Sequence, residues 1–294
     1  DGGIRRLHLG DSRLARADAA GQLGLSEARL GALLAQRLAE TQPQLDHGLL
    51  TIGMVSTAKY FVPQLLARFR ADHPGVDLRL RVAGNREQLV ELLQAREVDV
   101  TIMGRPPKAI ATRAEAFAAH PFVFVAPAGH ELLRAGPVPV TALEHHAFVV
   151  RESGSGTRAA MEQYFLERRF EPRISMDMSS NETIKQAVIA GMGISFLSLH
   201  TVGLEVASGL MGIIDVEATP VMRTWNVVTL QSKLLSPVAD GFRRFIIEHG
   251  EAHLVAHDTP LLAHLGRERG AGSAVRGEPA QHVGHLRVQQ AGAR

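Results

Sequence analysis

LLTIGMVSTAKYFVPQLLARFRADHPGVDLRLRVAGNREQLVELLQAREVDVTIMGRPP, residues 49 to 107, decides how the rest of the chain is read. Its first seven residues, Leu49 to Val55, form a short apolar run closed by Ser56-Thr57, a pair suited to cap a helix. Phe61, Leu65, Leu66 and Phe69 follow at helical spacing until Asp72-His73-Pro74-Gly75 stops the helix. Val76, Leu78, Leu80 and Val82 alternate as in a strand with one buried face, and Leu89, Leu92 and Leu93 mark a second helix. Val98 to Met103 is another apolar strand. Strand-helix-strand units of this length predict a parallel sheet with crossover helices. Ligands of such sheets bind beyond the carboxyl ends of the strands, which here means near Ser56, Thr57, Gly104 and Arg105.

The pattern continues downstream. Strands are expected at Pro121–Ala126, Ala147–Val150, Ile174–Met178, Ile194–Leu197 and Trp225–Leu230, with helices at Thr157–Arg169, Thr183–Ala190, Val202–Ser208 and Val238–Glu248. The chain thus predicts an α/β protein of two lobes, crossed twice by the chain and separated by a hinged cleft. Lobe one would comprise 49–125 and 222–250, and lobe two 126–221. The last part, 251–294, is expected to be a tail, disordered beyond about Leu265, because GRERGAGSAVRGEPAQHVGHLRVQQAGAR carries few apolar residues and no period.

Composition narrows the function classes. The 294 residues are 45% hydrophobic and 21% charged, as in an ordinary water-soluble protein. Cysteine is absent, which excludes disulfides, a thiol nucleophile and cysteine-based zinc sites. Lys and Arg number 32 against 30 acids, for a net charge of +2, a balance that permits nucleic-acid binding without requiring it. No apolar run approaches the roughly 20 residues that span a bilayer, and DGGIRRLHLGDSRLARADAA lacks an apolar signal core. Cytoplasmic localisation is the expectation, with no membrane partner.

Ahead of the lobes, residues 15 to 40 read ARADAAGQLGLSEARLGALLAQRLAE. Ala19, Ala20 and Leu23 form the apolar side of one short helix, Gly24 gives a turn, and Ser26 caps a second helix with Leu30, Leu33, Leu34 and Leu38. Such a pair resembles the helix-turn-helix of bacterial repressors. Ala20, Gly24 and Ser26 would hold its geometry, and Arg29, Gln36 and Arg37 would face DNA. An Ala/Leu-rich helical hairpin with no DNA role has the same spacing.

Ser153-Gly154-Ser155-Gly156-Thr157-Arg158 leads from a strand into a helix. Small residues there expose several backbone N–H groups to one point, and the helix dipole and Arg158 add positive charge, which makes an anion site. A flexible, well-capped loop is the plainer reading. No Lys-Ser/Thr follows at Walker spacing, and position 153 is Ser where a nucleophile elbow needs Gly. Ser179-Ser180-Asn181-Glu182 is a second strand-to-helix turn. His249, His253 and His257 recur at every fourth residue, yet no carboxylate or cysteine supports a metal site. Neither a paired-carboxylate nor a Ser/His/Asp set emerges, so no catalytic residue, metal or cofactor is expected.

With these motifs assembled, the chain resembles the LysR-type transcriptional regulators, in particular those of RuBisCO (Calvin-cycle) operons. The resemblance runs through TIGMVSTAKYFVPQLL, GNREQL, VDVTIMGRPP, RESGSGTRAAME, MSSNETIKQAVIAGMGISFLS and LSPVADGFRRFI. It implies a winged helix-turn-helix, a dimerising linker helix and a periplasmic-binding-protein-like sensor of two α/β lobes. The implied partners are promoter DNA, a second copy of the chain in a homodimer or homotetramer, and a small anionic metabolite. For this subgroup that metabolite is a sugar phosphate such as ribulose bisphosphate, phosphoenolpyruvate or NADPH. Effector contacts carried over by the resemblance are Ser56, Thr57, Gly104, Arg105, Ser153 to Arg158, Asn181, Glu182 and Thr201. A transporter's solute-binding protein has the same two-lobe fold and is the main alternative.

Overall fold

The computed structural model describes residues 47 to 271. The expected helix-turn-helix residues Ala20, Gly24, Ser26, Arg29, Gln36 and Arg37 lie outside the described residues. Strand β1 (Gly48–Val55) pairs in parallel with β2 (Val76–Ala83) and with β3 (Val100–Met103). Helices α1 (Val62–Asp72) and α2 (Arg86–Gln94) make the crossovers. Pro63 lies in the first turn of α1, where its missing N–H costs nothing, and the Asn85 side chain caps α2 by accepting from the Gln88 amide at 2.9 Å. Leu50, Ile52, Leu65, Phe69 and Val100 close a core beneath this sheet.

The two lobes arise because two strands are long enough to serve both. Strand β4 (Thr112–Pro127) pairs antiparallel with β9 (Val221–Leu230) over Thr112 to Phe122, and β9 joins β3. Beyond that overlap β4 enters lobe two, where it pairs antiparallel with β7 (Ser195–Ser198) and β8 (Met211–Ile214). A parallel pair, β5 (Ala147–Arg151) and β6 (Arg173–Met178), completes that lobe. Its helices are α3 (Gly156–Glu167), α4 (Asn181–Ile189) and the short α5 (Gly203–Ala207). Along β4 the change of core falls between Phe117 and Phe122. Phe117 packs in lobe one, and Phe122 stacks on Phe196 in lobe two. Between α4 and β7, Gly193 has φ +152° and a Cβ there would fall 2.4 Å from the Ala147 carbonyl oxygen, so only glycine lets the chain pass β5.

The α/β, two-lobe expectation describes this fold, with five corrections. The first-lobe sheet is mixed rather than parallel, because β9 returns to it antiparallel from lobe two. Ser56–Tyr60 is a 3-10 turn, and neither Ser56 nor Thr57 caps a helix; α1 begins later, at Val62. β2 forms where expected, but it is the sheet edge, and Val76, Leu78, Leu80 and Val82 do not share one buried face. Val76 is buried, whereas Leu80 and Val82 are exposed. β4 begins nine residues before the expected Pro121, and β8 was not anticipated. Finally, the helix expected at Val238–Glu248 is α6 (Pro237–Ala271), which continues well into the segment read as tail. Leu254 packs into the lobe-one core and Leu261 into lobe two. Burying each leucine stabilises by about 1.5–3 kcal/mol, which explains why the helix persists past its weak amphipathic pattern.

Candidate functional site

A cavity of about 310 Å³ opens between the lobes, at the carboxyl ends of β1, β3 and β5. Lobe one contributes Ser56 and Thr57 from the 3-10 turn, Asn85 and Arg86 from the head of α2, and Gly104 and Arg105 from the turn after β3. Arg86 is fixed in place: its Nε donates to the Arg105 carbonyl at 3.0 Å and its Nη2 to that of Pro106 at 3.2 Å. The Arg86 side chain is thereby tied to the backbone of the loop that carries Arg105.

Lobe two contributes Arg151 and the head of α3, namely Ser155, Gly156 and Thr157. Gly154 turns the chain here at φ +88°, a conformation that disfavours a side chain. Ser155 occupies the N-cap position but makes no side-chain cap bond. The first-turn amides of α3 therefore remain open to a guest, with the helix dipole behind them. Ser155 and Thr157 are both buried against the cavity, and their hydroxyls add donors at the same point. Arg151 is 3% exposed, its Nε and Nη2 held by the Glu152 carboxylate at 2.7 and 2.8 Å and its Nη1 by the Asn181 side chain at 2.9 Å. A buried cation with that many acceptors is rigidly aimed.

The floor comes from the two shared strands. His120 and Phe122 lie on β4, and Arg223 and Trp225 on β9. The His120 ring stacks on the indole of Trp225 at 3.9 Å, and its Nε2 lies 3.0 Å from the Ser198 hydroxyl. Burial first, and the neighbouring His200 second, push the His120 pKa well below the ordinary imidazole value. His120 is thus a neutral hydrogen-bonding group in a site that also presents four arginines. Its Nδ1 and the Trp225 Nε1 have no hydrogen-bond partner among the described residues. Gly104 approaches the ring so closely that a Cβ would sit 3.2 Å from Nδ1.

Of the thirteen effector residues expected from sequence, the cavity brings together seven: Ser56, Thr57, Gly104, Arg105, Ser155, Gly156 and Thr157. The other six do not line it. Ser153 and Gly154 sit on the exposed turn. Arg158 is taken up by its own surroundings, pairing with Glu162 one turn on at 2.6 Å and donating to the Arg151 carbonyl. Thr201 donates to the Ser198 carbonyl at 2.8 Å. Asn181 holds Arg151, and Glu182 accepts from the Tyr60 hydroxyl and pairs with Lys59 at 2.8 Å. Burial works to raise the Glu182 pKa, but the Lys59 and Tyr60 hydrogen bonds outweigh it and hold the carboxyl at about 2.

Sequence reasoning passed over Arg86, Arg151, His120, Arg223 and Trp225. Arg151 did leave a signal, a lone cation closing the apolar strand AFVVR, and His120 opens the otherwise apolar run HPFVFVA. The remaining three became site residues only through folding. Among the described residues no group of three His, Asp or Glu side chains is placed to hold a metal ion, and no helix is long and apolar enough to cross a membrane.

This geometry agrees with three comparisons. Residues 43–251 match the family pattern of the LysR substrate binding domain. The HTH-type transcriptional regulator CfxR of Cupriavidus necator is 49% identical over 205 residues, 70% of this chain and 64% of that protein. CbbR of Rhodospirillum rubrum is 48% identical over 199 residues, 68% of this chain and 65% of that protein. The chain thus spans somewhat under two thirds of the length of these two relatives. Both are named as transcriptional regulators rather than enzymes. The solved regulatory domain of Synechocystis PCC6803 CcmR, in complex with 2-PG, superposes with a TM-score of 0.65 at 38% identity, covering 69% of this chain and 97% of that one. The chain belongs to the LysR-type transcriptional regulators, and the cavity between its lobes lies within that family's substrate-binding domain.

Proposed function

We propose that the protein regulates transcription of RuBisCO-type carbon-fixation genes, as an activator, in response to a small anionic metabolite bound between its lobes. The observation that carries this reading is the convergence on one cavity of four arginines, Arg86, Arg105, Arg151 and Arg223, with the uncapped head of α3. Guanidinium forks and helix N-termini both favour phosphate and carboxylate oxygens. The neutral floor of His120 and Trp225 would accept the less charged end of the guest. Relatives named as RuBisCO operon regulators supply the gene class, and the 2-PG complex of CcmR supplies 2-PG as a candidate.

DNA binding by the helix pair within residues 15 to 40, with Arg29, Gln36 and Arg37 at the duplex, completes the reading. A homodimer or homotetramer is in keeping with the apolar side chains left exposed on β2 (Leu80, Val82) and on α3 and β6 (Leu166, Ile174, Met176). Closure of the lobes around a guest would alter the angle between subunits, and with it the spacing of paired half-sites. A solute-binding protein shares the fold, but its relatives would not be named regulators.

Calorimetry of the chain with 2-PG, ribulose bisphosphate, phosphoenolpyruvate and NADPH tests the effector. At least one should bind below millimolar concentration, and a gel shift on the upstream intergenic DNA should respond to the same compound. Failure of all four to bind would overturn the anion-sensor reading.

A further inference from the structure

We propose that Asn181 and Glu182, at the head of α4, are positioning residues that brace the two walls of the cavity against each other and so set how readily the lobes part. The functional consequence rests on the effector reading above; the brace itself does not. Neither residue lines the cavity. Asn181 is 2% exposed, and its side-chain oxygen accepts from Arg151 Nη1, so it fixes the lobe-two cation that faces the guest. The next residue reaches the opposite way. Successive side chains on a helix diverge by about 100°, which lets one helix head hold two partners. The Glu182 carboxylate takes the Tyr60 hydroxyl and the Lys59 ammonium, both on the 3-10 turn whose first residues, Ser56 and Thr57, form the lobe-one wall.

Lobe two reinforces the grip. Lys185, one turn along α4, lies 4.8 Å from the centre of the Tyr60 ring. It is itself held by Glu205 of α5 at 2.7 Å and by the Thr201 carbonyl at 3.0 Å. Tyr60 is thus clamped from lobe two by a carboxylate at its hydroxyl and a cation over its ring. Burial, then Glu182, raise its pKa above the ordinary phenol value, so the hydroxyl keeps its proton and donates. Lobe opening must break the Tyr60–Glu182 and Lys59–Glu182 contacts together. The residues whose sequence position suggested direct effector contact act instead through Arg151 and the 3-10 turn.

Trp225, the single tryptophan of the chain, is buried at the cavity floor, so its fluorescence reads cleft access directly. The full chain and the variants Tyr60→Phe and Glu182→Gln are compared by acrylamide quenching without ligand, by the release rate of 2-PG, and by thermal melting. Tyr60→Phe should raise the quenching constant about two- to fivefold and speed release about three- to tenfold, the scale of one half-exposed charged hydrogen bond. Its melting temperature should stay within about two degrees. Glu182→Gln keeps an acceptor for Tyr60 but loses the ion pair, and should fall between parent and Tyr60→Phe. Quenching equal to the parent in both variants overturns the brace, whatever 2-PG does. Raised quenching in a protein that does not bind 2-PG upholds the brace and counts against the effector reading. If Tyr60→Phe melts far below the parent, Glu182→Gln decides, since it leaves the ring packing untouched; if both do, the role is merely structural and the proposal fails.

Discussion

The heads of α3 and α4 look alike in sequence and do different work. Each follows a strand of its own lobe, each opens on serines, and each presents small or amide side chains to a first helical turn. At α4 the Ser180 side chain accepts from the Thr183 amide, so the helix end is satisfied internally and its side chains are free to brace other residues. At α3 Ser155 makes no such bond, and the amides face the cavity. A capped helix end is a structural element, and an uncapped one beside buried hydroxyls is an invitation to a ligand. The difference is one hydrogen bond, and sequence spacing does not reveal it.

Arg151 joins the two heads, so its removal should be the harshest way to break the comparison. Arg151→Ala leaves Glu152 and Asn181 without their partner and should cost roughly 3 kcal/mol of stability in denaturant melts, with loss of measurable effector binding. Less severe is Thr157→Ala, which strips one buried donor from the α3 head. It should weaken 2-PG binding about tenfold by calorimetry. Arg158→Ala removes a full charge, but one already turned to Glu162, and should change that affinity by less than about threefold.

The paired serine substitutions sharpen the contrast directly. Ser180→Ala removes a working cap and should lower stability by about 1 kcal/mol while leaving affinity nearly unchanged. Ser155→Ala removes no cap, should cost under about 0.5 kcal/mol, and should instead weaken the effector. Equal stability losses in the two variants would erase the distinction between the heads.

The smallest effect is expected from acid. The Glu182 pKa is about 2 in the folded chain against an ordinary 4.5. A depressed carboxylate pKa contributes stability that is present above 4.5 and is lost as pH falls from 4.5 towards 2. Glu182 is half exposed, so solvent screens much of this contribution. The melting temperature of Glu182→Gln should therefore lie slightly below the parent at pH 6, and the gap should narrow below pH 4.5 and close at about pH 2 and under, as followed by circular dichroism.

Much of the site was legible in the residues. Ser56, Thr57, Gly104, Arg105 and the Ser155–Thr157 turn announce themselves as polar punctuation between apolar runs, and strand ends of one sheet must lie together. Arg158 illustrates the limit. Its charge and place at the helix head suggested a ligand contact, but Glu162 one turn later captures it at 2.6 Å. The α6 extension shows the same limit in the fold. Leu254 and Leu261 are too sparse to predict a helix by period, and their stabilisation comes from the cores of two lobes that the helix bridges.

By itself, then, the sequence determined the α/β alternation, the two lobes and the polar turns between them, because these follow from local periodicity and from turn chemistry within a few residues. Only the tertiary structure decided which polar groups face the cavity. His120 and Trp225 are brought together by the β4–β9 ladder from positions 105 apart in the chain, and Arg151 at the end of β5 is bonded both to the next residue, Glu152, and to Asn181 of α4. Whether a charge meets a guest or a neighbouring side chain depends on which partner lies within about 3 Å, and that distance is fixed by packing rather than by spacing along the chain.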